Sequence, residues 1–399
     1  MPWKESQVFE ERLKFVTAYL EGSWSITELC HAYGVSRKTA YKYIERYQEQ
    51  GVEGLKDLIR SPRAHPNQTS AAVERLIVTG RKNHSTWGSK KLLQWLARHH
   101  PDIRWPARST VGEILKRNQL VLPRRRIRRA TPSKSPLEEA KHPNALWCCD
   151  FKGWFKTLDG RRCDPLTVTD AFSRYALVCR GLPRPIYAHV RPWFERAFHE
   201  FGLPEAIRSD NGPPFASSGT AGLTKLSVWW IKLGIRPERI APGRPQENGR
   251  HERFHRTLKQ ETARPPKSTM QAQQMAFGRF VREYNEERPH EALGGRTPKQ
   301  LYQRSPRSFP RHIEAFEYPK HFEVRTVRKD GRTRWQGKLL FVTDLLRNEM
   351  VGLEPISDRH WTLHWGPVEL GIVDNAKNEL VQHENFSFTR RRADWDEEG

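Results

Sequence analysis

The chain has 399 residues, with 69 Lys or Arg against 46 Asp or Glu and a formal net charge of +23, which points to a polyanionic partner and by default to nucleic acid. Apolar residues make up 36% of it, and no run approaches the roughly 18 apolar residues of a membrane span, so a transmembrane protein is excluded. The start, PWKESQVFEERLKF, lacks a secretory pattern, and Cys30, Cys148, Cys149, Cys163 and Cys179 form no C-x-x-C pair. Reduced core thiols and a cytoplasmic, chromosome-associated protein are the expectation.

Residues 7 to 48 read as three helices. Val8, Phe9, Leu13, Val16 and Leu20 form one apolar stripe that stops at Gly22, Ser25 caps a short second helix, and Ser36 caps RKTAYKYIERYQEQ after a tight Gly34 turn. The pattern is a helix-turn-helix whose third helix would offer Arg37, Lys38 and Lys42 to DNA. A second unit of this kind is expected over 70 to 118, with Ser109 as the cap of its last helix. Between Lys116 and Lys134 there are eight Lys or Arg and no acid, so Arg124, Arg125, Arg126, Arg128 and Arg129 belong to an extended basic linker able to follow phosphates.

From 145 the pattern changes to short apolar runs. ALWCCDFKGWF, DPLTVTDAF and RYALVCRG read as a β-meander, then a helix, a short strand, a helix and a short strand follow, giving a mixed α/β domain. Helices over about 248 to 262 and 269 to 287 close it before a Pro-rich break at 304 to 310. Beyond 318, FEVRTV, RWQGKLLFV and HWTLHW predict a small all-β barrel, with Trp335, Trp361 and Trp365 in its core. The expected division is therefore 1–60 helix-turn-helix, 61–119 second helical unit, 120–142 basic linker, 143–303 α/β core, 304–317 linker, 318–380 barrel and 381–399 disordered tail. Trp229 and Trp230 are expected in the core.

Asp150 sits inside an apolar run, where a carboxylate needs a cation. Asp210 ends the strand EAIRSD, at the carboxyl edge of a sheet, where open α/β sheets place their sites. In PGRPQENGRHERFHRTLK, Glu252, Arg256 and Lys259 fall on one face of a helix. Three carboxylates from two strands and a helix can bind two divalent ions for phosphoryl transfer while the bases hold phosphates. Mg²⁺ suits such an all-oxygen site, with Mn²⁺ as a substitute.

At these residues the sequence resembles the DDE transposases and retroviral-type integrases, and most closely the insertion-sequence transposases that join helix-turn-helix units to an integrase core. The strings that carry the resemblance are WCCDFKGWF, SDNGPPF, PGRPQENGRHERFHRTLK and YNEERPHEALGGRTPKQLY. It implies a ribonuclease-H-like integrase core with Asp150, Asp210 and Glu252 as catalytic, metal-holding residues, and with Arg256 and Lys259 at DNA-contacting positions. It further implies binding of an element's terminal inverted repeats, cleavage, joining of the 3′ hydroxyl to target DNA, and a homo-oligomer on DNA.

Two departures stand out. Between Asp210 and Glu252 lie 41 residues, more than the family's commonest spacing, and the excess is placed around FASSGTAGLTK. Glu247 lies closer to that spacing and is the rival third carboxylate, although the NG-x-x-E string favours Glu252. The His2Cys2 zinc module of retroviral integrases has no match. His251, Glu252 and His255 also spell the H-E-x-x-H of zinc peptidases, a reading that leaves the helical units and both Asp strings unexplained. A DNA-binding regulator without catalysis, and a nuclease that cuts without joining, are the remaining alternatives.

Overall fold

The computed structural model describes residues 8–58, 68–121, 140–217, 219–240 and 249–388. Arg124 to Arg129 and Glu247 lie outside these residues. The chain divides into two compact units, 1–69 and 70–399. No helix among the described residues is long and apolar enough to cross a membrane.

The first unit is built from α1 (Val8–Leu20), α2 (Ile26–Ala32) and α3 (Arg37–Gln50). Ser25 and Ser36 cap α2 and α3 by accepting the backbone N–H groups of Glu28 and Thr39, as their spacing requires. Between the two helices Gly34 adopts a left-handed φ of +61°, which a Cβ would strain. Phe15, Val16, Leu29, Ala40, Tyr43, Ile44 and Leu55 form the core. Arg37, Lys38 and Lys42 are left exposed on the opposite face of α3.

The second unit opens with α4 (Ala71–Asn83), α5 (Ser89–His99) and α6 (Arg108–Arg117), packed around Ile77, Leu92, Leu96, Val111 and Ile114. The expected Ser109 cap is not formed. Helix α6 already begins at Arg108, after Ala107, and has no side-chain cap. The trio is bound to the α/β domain by polar contacts: His84 Nδ1 lies 2.9 Å from Glu283, Thr86 donates to Glu261, and Lys90 pairs with Glu291.

The α/β domain contains β1 (Leu146–Phe151), β2 (Phe155–Lys156), β3 (Arg162–Asp170), β4 (Ala176–Leu182), α7 (Tyr187–Phe201), β5 (Ala206–Ser209), α8 (Lys225–Lys232), β6 (Arg236–Arg239), α9 (Gly249–Thr262) and α10 (Met270–Arg282). Strands β4, β3 and β1 are antiparallel neighbours, β1–β5–β6 are parallel, and β2 pairs with the start of β3. This mixed sheet agrees with the expected core. Trp147, Cys149, Leu166 and Val168 face α7 and α8, where Phe194, Phe198, Trp229 and Trp230 complete the apolar layer. On the other face Cys163, Ala176 and Cys179 meet Phe254, Leu258, Phe277 and Phe280 of α9 and α10.

Strand β4 bonds only one strand, so its outer edge needs partners. Side-chain amides supply them. Asn285 accepts the Ala176 N–H at 2.8 Å and donates to the Ala176 carbonyl at 3.0 Å, while Gln274 does the same for Gly181 N–H and the Cys179 carbonyl, both at 3.0 Å. Asn285 occupies a single π turn, Glu283–Glu287, that extends α10.

The segment expected as a free linker is strapped to the core. Arg307 donates to the carbonyls of Pro204, Leu233 and Gly234, and Phe309 packs on Trp229 and Phe198. Gly202, at φ +78°, ends α7 where any Cβ would lie 2.7 Å from the Ser305 carbonyl.

The expected barrel is instead an open sheet with a separate hairpin. Strands β7 (Glu323–Thr326), β10 (Met350–Pro355), β11 (His360–Trp365), β12 (Val368–Asp374) and β13 (Glu379–Phe388) pair in the order β13–β12–β11–β10–β7. Strands β8 (Arg332–Trp335) and β9 (Lys338–Phe341) pair with each other alone. The hairpin meets β7 through Thr333, which donates to the Thr326 carbonyl, and through Arg325 over the Trp335 ring, and it meets the turn before β13 through Asn378, which donates to the Leu339 carbonyl; among the described residues no ladder closes the ring. Trp335 and Trp365 are buried, and Trp361 packs on Trp335. Strand β13 also claims residues 381–388 from the expected tail.

Removing the Asn285 amide strips both polar groups of Ala176 of their partners, each a loss of about 1–3 kcal/mol. We expect Asn285→Ala to lower the denaturation midpoint of the second unit clearly in calorimetry, and an unchanged midpoint would refute the edge-capping role.

Candidate active site

Strands β1 and β5 are parallel and in register, Leu146 opposite Ala206 and Cys148 opposite Arg208. Asp150 is the next-to-last residue of β1 and Asp210 follows the last residue of β5, so both lie at the carboxyl edge of the sheet on neighbouring strands. Because side chains alternate, Cys149 points to the α7 side and Asp150 to the α9 side. Glu252 arrives from the first turn of α9, exposed, on the face that also carries Arg256 and Lys259.

The electrostatics report the crowding. The Asp150 carboxyl is pushed up to about 7, first by burial and then by the charge of Asp210, with Glu252 adding to it and the Phe151 amide and Lys152 pulling back. Asp210 is raised by burial, against the Gly212 amide, and its Oδ1 is buried without a hydrogen-bond partner among the described residues. Asp170 shows the contrast. It is fully buried, where Asp150 and Asp210 are half-buried, and its oxygens accept Asn144 N–H, Ser173 N–H and the Ser173 hydroxyl, so it closes a turn.

An orphaned carboxylate oxygen near a carboxyl that burial, and then its acidic neighbours, push up to about 7 is a donor set suited to a hard divalent cation. Asp150, Asp210 and Glu252 are the residues that could hold it. Among the described residues, no three His, Cys, Asp or Glu already stand close enough together to grip an ion.

Beside this cluster lies a cavity of about 410 Å³ lined by Lys152, Glu252, His255, Arg256, Lys259, Gln260 and Arg264. Four cations against one carboxylate suit a nucleic-acid backbone. Sequence reading found Arg256 and Lys259 but missed Lys152, Gln260 and Arg264. For Lys152 the signal was available, since a residue two places past Asp150 shares its face.

His251 and His255 point inward, away from Glu252. Both Nε2 atoms meet the Thr167 hydroxyl, at 2.6 and 2.7 Å, and His251 Nδ1 lies 3.1 Å from Thr169 Oγ1. Burial pulls the two imidazoles down to about 3 and about 2, so both are neutral. With both Nε2 atoms bonded to one hydroxyl, H-E-x-x-H is not a metal-ligand pair in this fold.

The sequence matches the helix-turn-helix domain family over residues 11–63, the homeodomain-like domain family over 39–115, and integrase core domain families over 140–245 and 233–298. Matches to helix-turn-helix families are thus followed along the chain by matches to integrase core families. The first core match contains β1 and β5 with Asp150 and Asp210, and the second contains α9 with Glu252. The chain is 28% identical over 242 residues to the 39.2 kDa protein of insertion element IS476 from Xanthomonas euvesicatoria, a match over 59% of this chain. It is 29% identical over 198 residues to the 31.7 kDa protein of insertion element IS407 from Burkholderia multivorans, over 49% of this chain. These matches span 66% and 62% of the two relatives' own lengths. A stretch of 95 residues is 34% identical to the Gag-Pol polyprotein of baboon endogenous virus, 24% of this chain and 5% of that one.

The raised Asp150 fixes a sign for pH dependence. Its native pKa, about 7, lies above the unfolded value of 3.8, so its stabilising contribution is complete below pH 3.8 and is lost as pH rises through 7. In EDTA, Asp150→Asn should therefore raise the melting temperature by several degrees at pH 8 and leave it unchanged at pH 4. Equal melting at pH 8 would disprove the charge crowding.

Proposed function

We propose that this integrase-core protein is an insertion-sequence transposase that binds the terminal inverted repeats of its element and catalyses Mg²⁺-dependent DNA cleavage and strand transfer. The observation that carries the proposal is the crowding of Asp210 and Glu252 on a buried Asp150, beside a groove rich in cations. In this reading the three carboxylates form the catalytic set.

The chain's own residues divide the work. Lys152, Arg256, Lys259 and Arg264 bind phosphates along the groove and hold one strand of the duplex over the carboxylates. The buried sheet beneath holds Asp150 and Asp210 half-buried at its carboxyl edge. Two divalent ions, when bound at such a site, supply the charge that activates an attacking oxygen and stabilises a leaving one. Arg37, Lys38 and Lys42 on α3 contact the repeat, and Arg124, Arg125, Arg126, Arg128 and Arg129 follow the adjoining phosphates. Holding two element ends together for joining requires more than one copy of the chain.

The test uses wild type and the Asp150→Ala, Asp210→Ala, Glu252→Ala and Glu247→Ala variants with labelled element ends, target plasmid and Mg²⁺, scoring binding, cleavage and joining separately. Wild type and Glu247→Ala should cut and join, while the other three bind ends but give no product. Wild type that only binds would make the protein a regulator, and cutting without joining would make it a nuclease.

A second measurement addresses the helix-turn-helix. Each lost phosphate contact reduces the slope of log K against log salt by about 0.9, so replacing Arg37, Lys38 and Lys42 by Ala should flatten it by about 3. An unaltered slope would remove α3 from the interface.

A further inference from the structure

The two histidines of the H-E-x-x-H string have no role in the chemistry proposed above, yet they are among the buried polar groups beneath the site. Thr167 stands directly opposite Asp150 in the β1–β3 ladder. Its hydroxyl lies 3.1 Å from the backbone carbonyl of Asp150, 2.6 Å from His251 Nε2 and 2.7 Å from His255 Nε2. Thr167, His251 and His255 are 0%, 2% and 5% exposed.

A hydroxyl owns one proton and two lone pairs. The Asp150 carbonyl can only accept, so Thr167 donates its proton there, and both imidazoles must then donate Nε2–H to the hydroxyl. One oxygen is thereby fully used. The assignment leaves His251 Nδ1 to accept the Thr169 hydroxyl, and it leaves His255 Nδ1 facing Asp150 Oδ2 at 3.8 Å. Positions 251 and 255 are one helical turn apart and flank Glu252, which emerges on the outer side of the same turn.

We propose that Thr167, His251 and His255 are positioning residues that fasten the helix carrying Glu252 to the strand carrying Asp150, and so set the separation of two carboxylates before an ion or DNA arrives. The inference rests on the carboxylate trio proposed above. Metal ligands must meet their distances to within about 0.2 Å, a tolerance that non-directional apolar packing between α9 and the sheet does not enforce. Two hydrogen bonds from α9 meeting on one strand hydroxyl do enforce it, because both fail when the helix slides or turns, and the third ties that hydroxyl to the Asp150 carbonyl.

The test compares Thr167→Val, which keeps the branched shape and loses the hydroxyl, with Thr167→Ser, which keeps the hydroxyl, in the full-length protein. Calorimetric titration of the DNA-free protein with Mn²⁺, the Mg²⁺ dependence of end cleavage, end-DNA affinity and melting temperature are measured together. Thr167→Val should weaken Mn²⁺ binding and raise the half-saturating Mg²⁺ concentration by about 10- to 100-fold with end-DNA affinity unchanged, as loss of a ligand-orienting partner does. Thr167→Ser should recover most of that loss. If Thr167→Val does not fold, His255→Leu and His255→Gln make the same comparison, since the Gln amide can still donate.

Wild-type metal affinity and Mg²⁺ dependence in Thr167→Val, whatever its melting temperature, overturn the positioning role alone. So does equal impairment of the Val and Ser variants. Wild type that binds no Mn²⁺ and cuts no end overturns the carboxylate reading, and the positioning role with it.

Discussion

Two half-buried aspartates at the carboxyl ends of neighbouring parallel strands are the constraint around which the second unit is arranged. Burial first, and the charge of Asp210 second, push the Asp150 carboxyl up to about 7. The sheet can carry this burden because everything below it is dry. Phe194, Phe198, Trp229 and Trp230 fill one face, and Phe254, Phe277 and Phe280 fill the other. The repulsion is concentrated in a place where the surrounding packing leaves the carboxylates nowhere to retreat.

Much of this could be read from the residues. Ser25 and Ser36 announced their helices because a short hydroxyl before an amphipathic run satisfies a free N–H, and Asp150 stood out because an acid in WCCDF breaks an apolar pattern. What could not be read depends on contacts distant in sequence. Nothing in YNEERPH says that the Asn285 amide will stand in for a missing strand beside Ala176, 109 residues earlier. His251 and His255 spell a metal-ligand pattern because a string records spacing and not direction, and only the position of Thr167 on β3 shows which way they point. The barrel expectation failed for a related reason. Alternating apolar residues predict strands, but whether the last strand returns to the first is decided by hydrogen bonds that local pattern does not encode.

The helical trio at the start of the second unit illustrates how charge can cement as well as attract. Glu261, Glu283 and Glu291 lie on or beyond the helix that borders the basic groove, and each is engaged by a residue of the trio. Arg288 adds a further partner to Glu261 at 2.8 Å. Acids that would otherwise repel a duplex near the groove are thus bonded within the protein, which leaves the surplus of Lys and Arg to act outward.

The stretch between Asp210 and Glu252 also serves the C-terminal strands. Ala221, Leu223, Val228 and Ile231 lie in one apolar cluster with Val327, Trp335, Leu340 and Leu363 of the C-terminal strands, Thr220 donates to the Val342 carbonyl, and Lys232 pairs with Glu349 at 2.6 Å. Residues 220–231 are the plug with which the C-terminal strands complete their interior. Plug and sheet therefore form a single exchangeable part. A chimera that trades the C-terminal strands alone leaves Ala221 and Leu223 facing water, whereas one that trades both segments keeps the seam sealed.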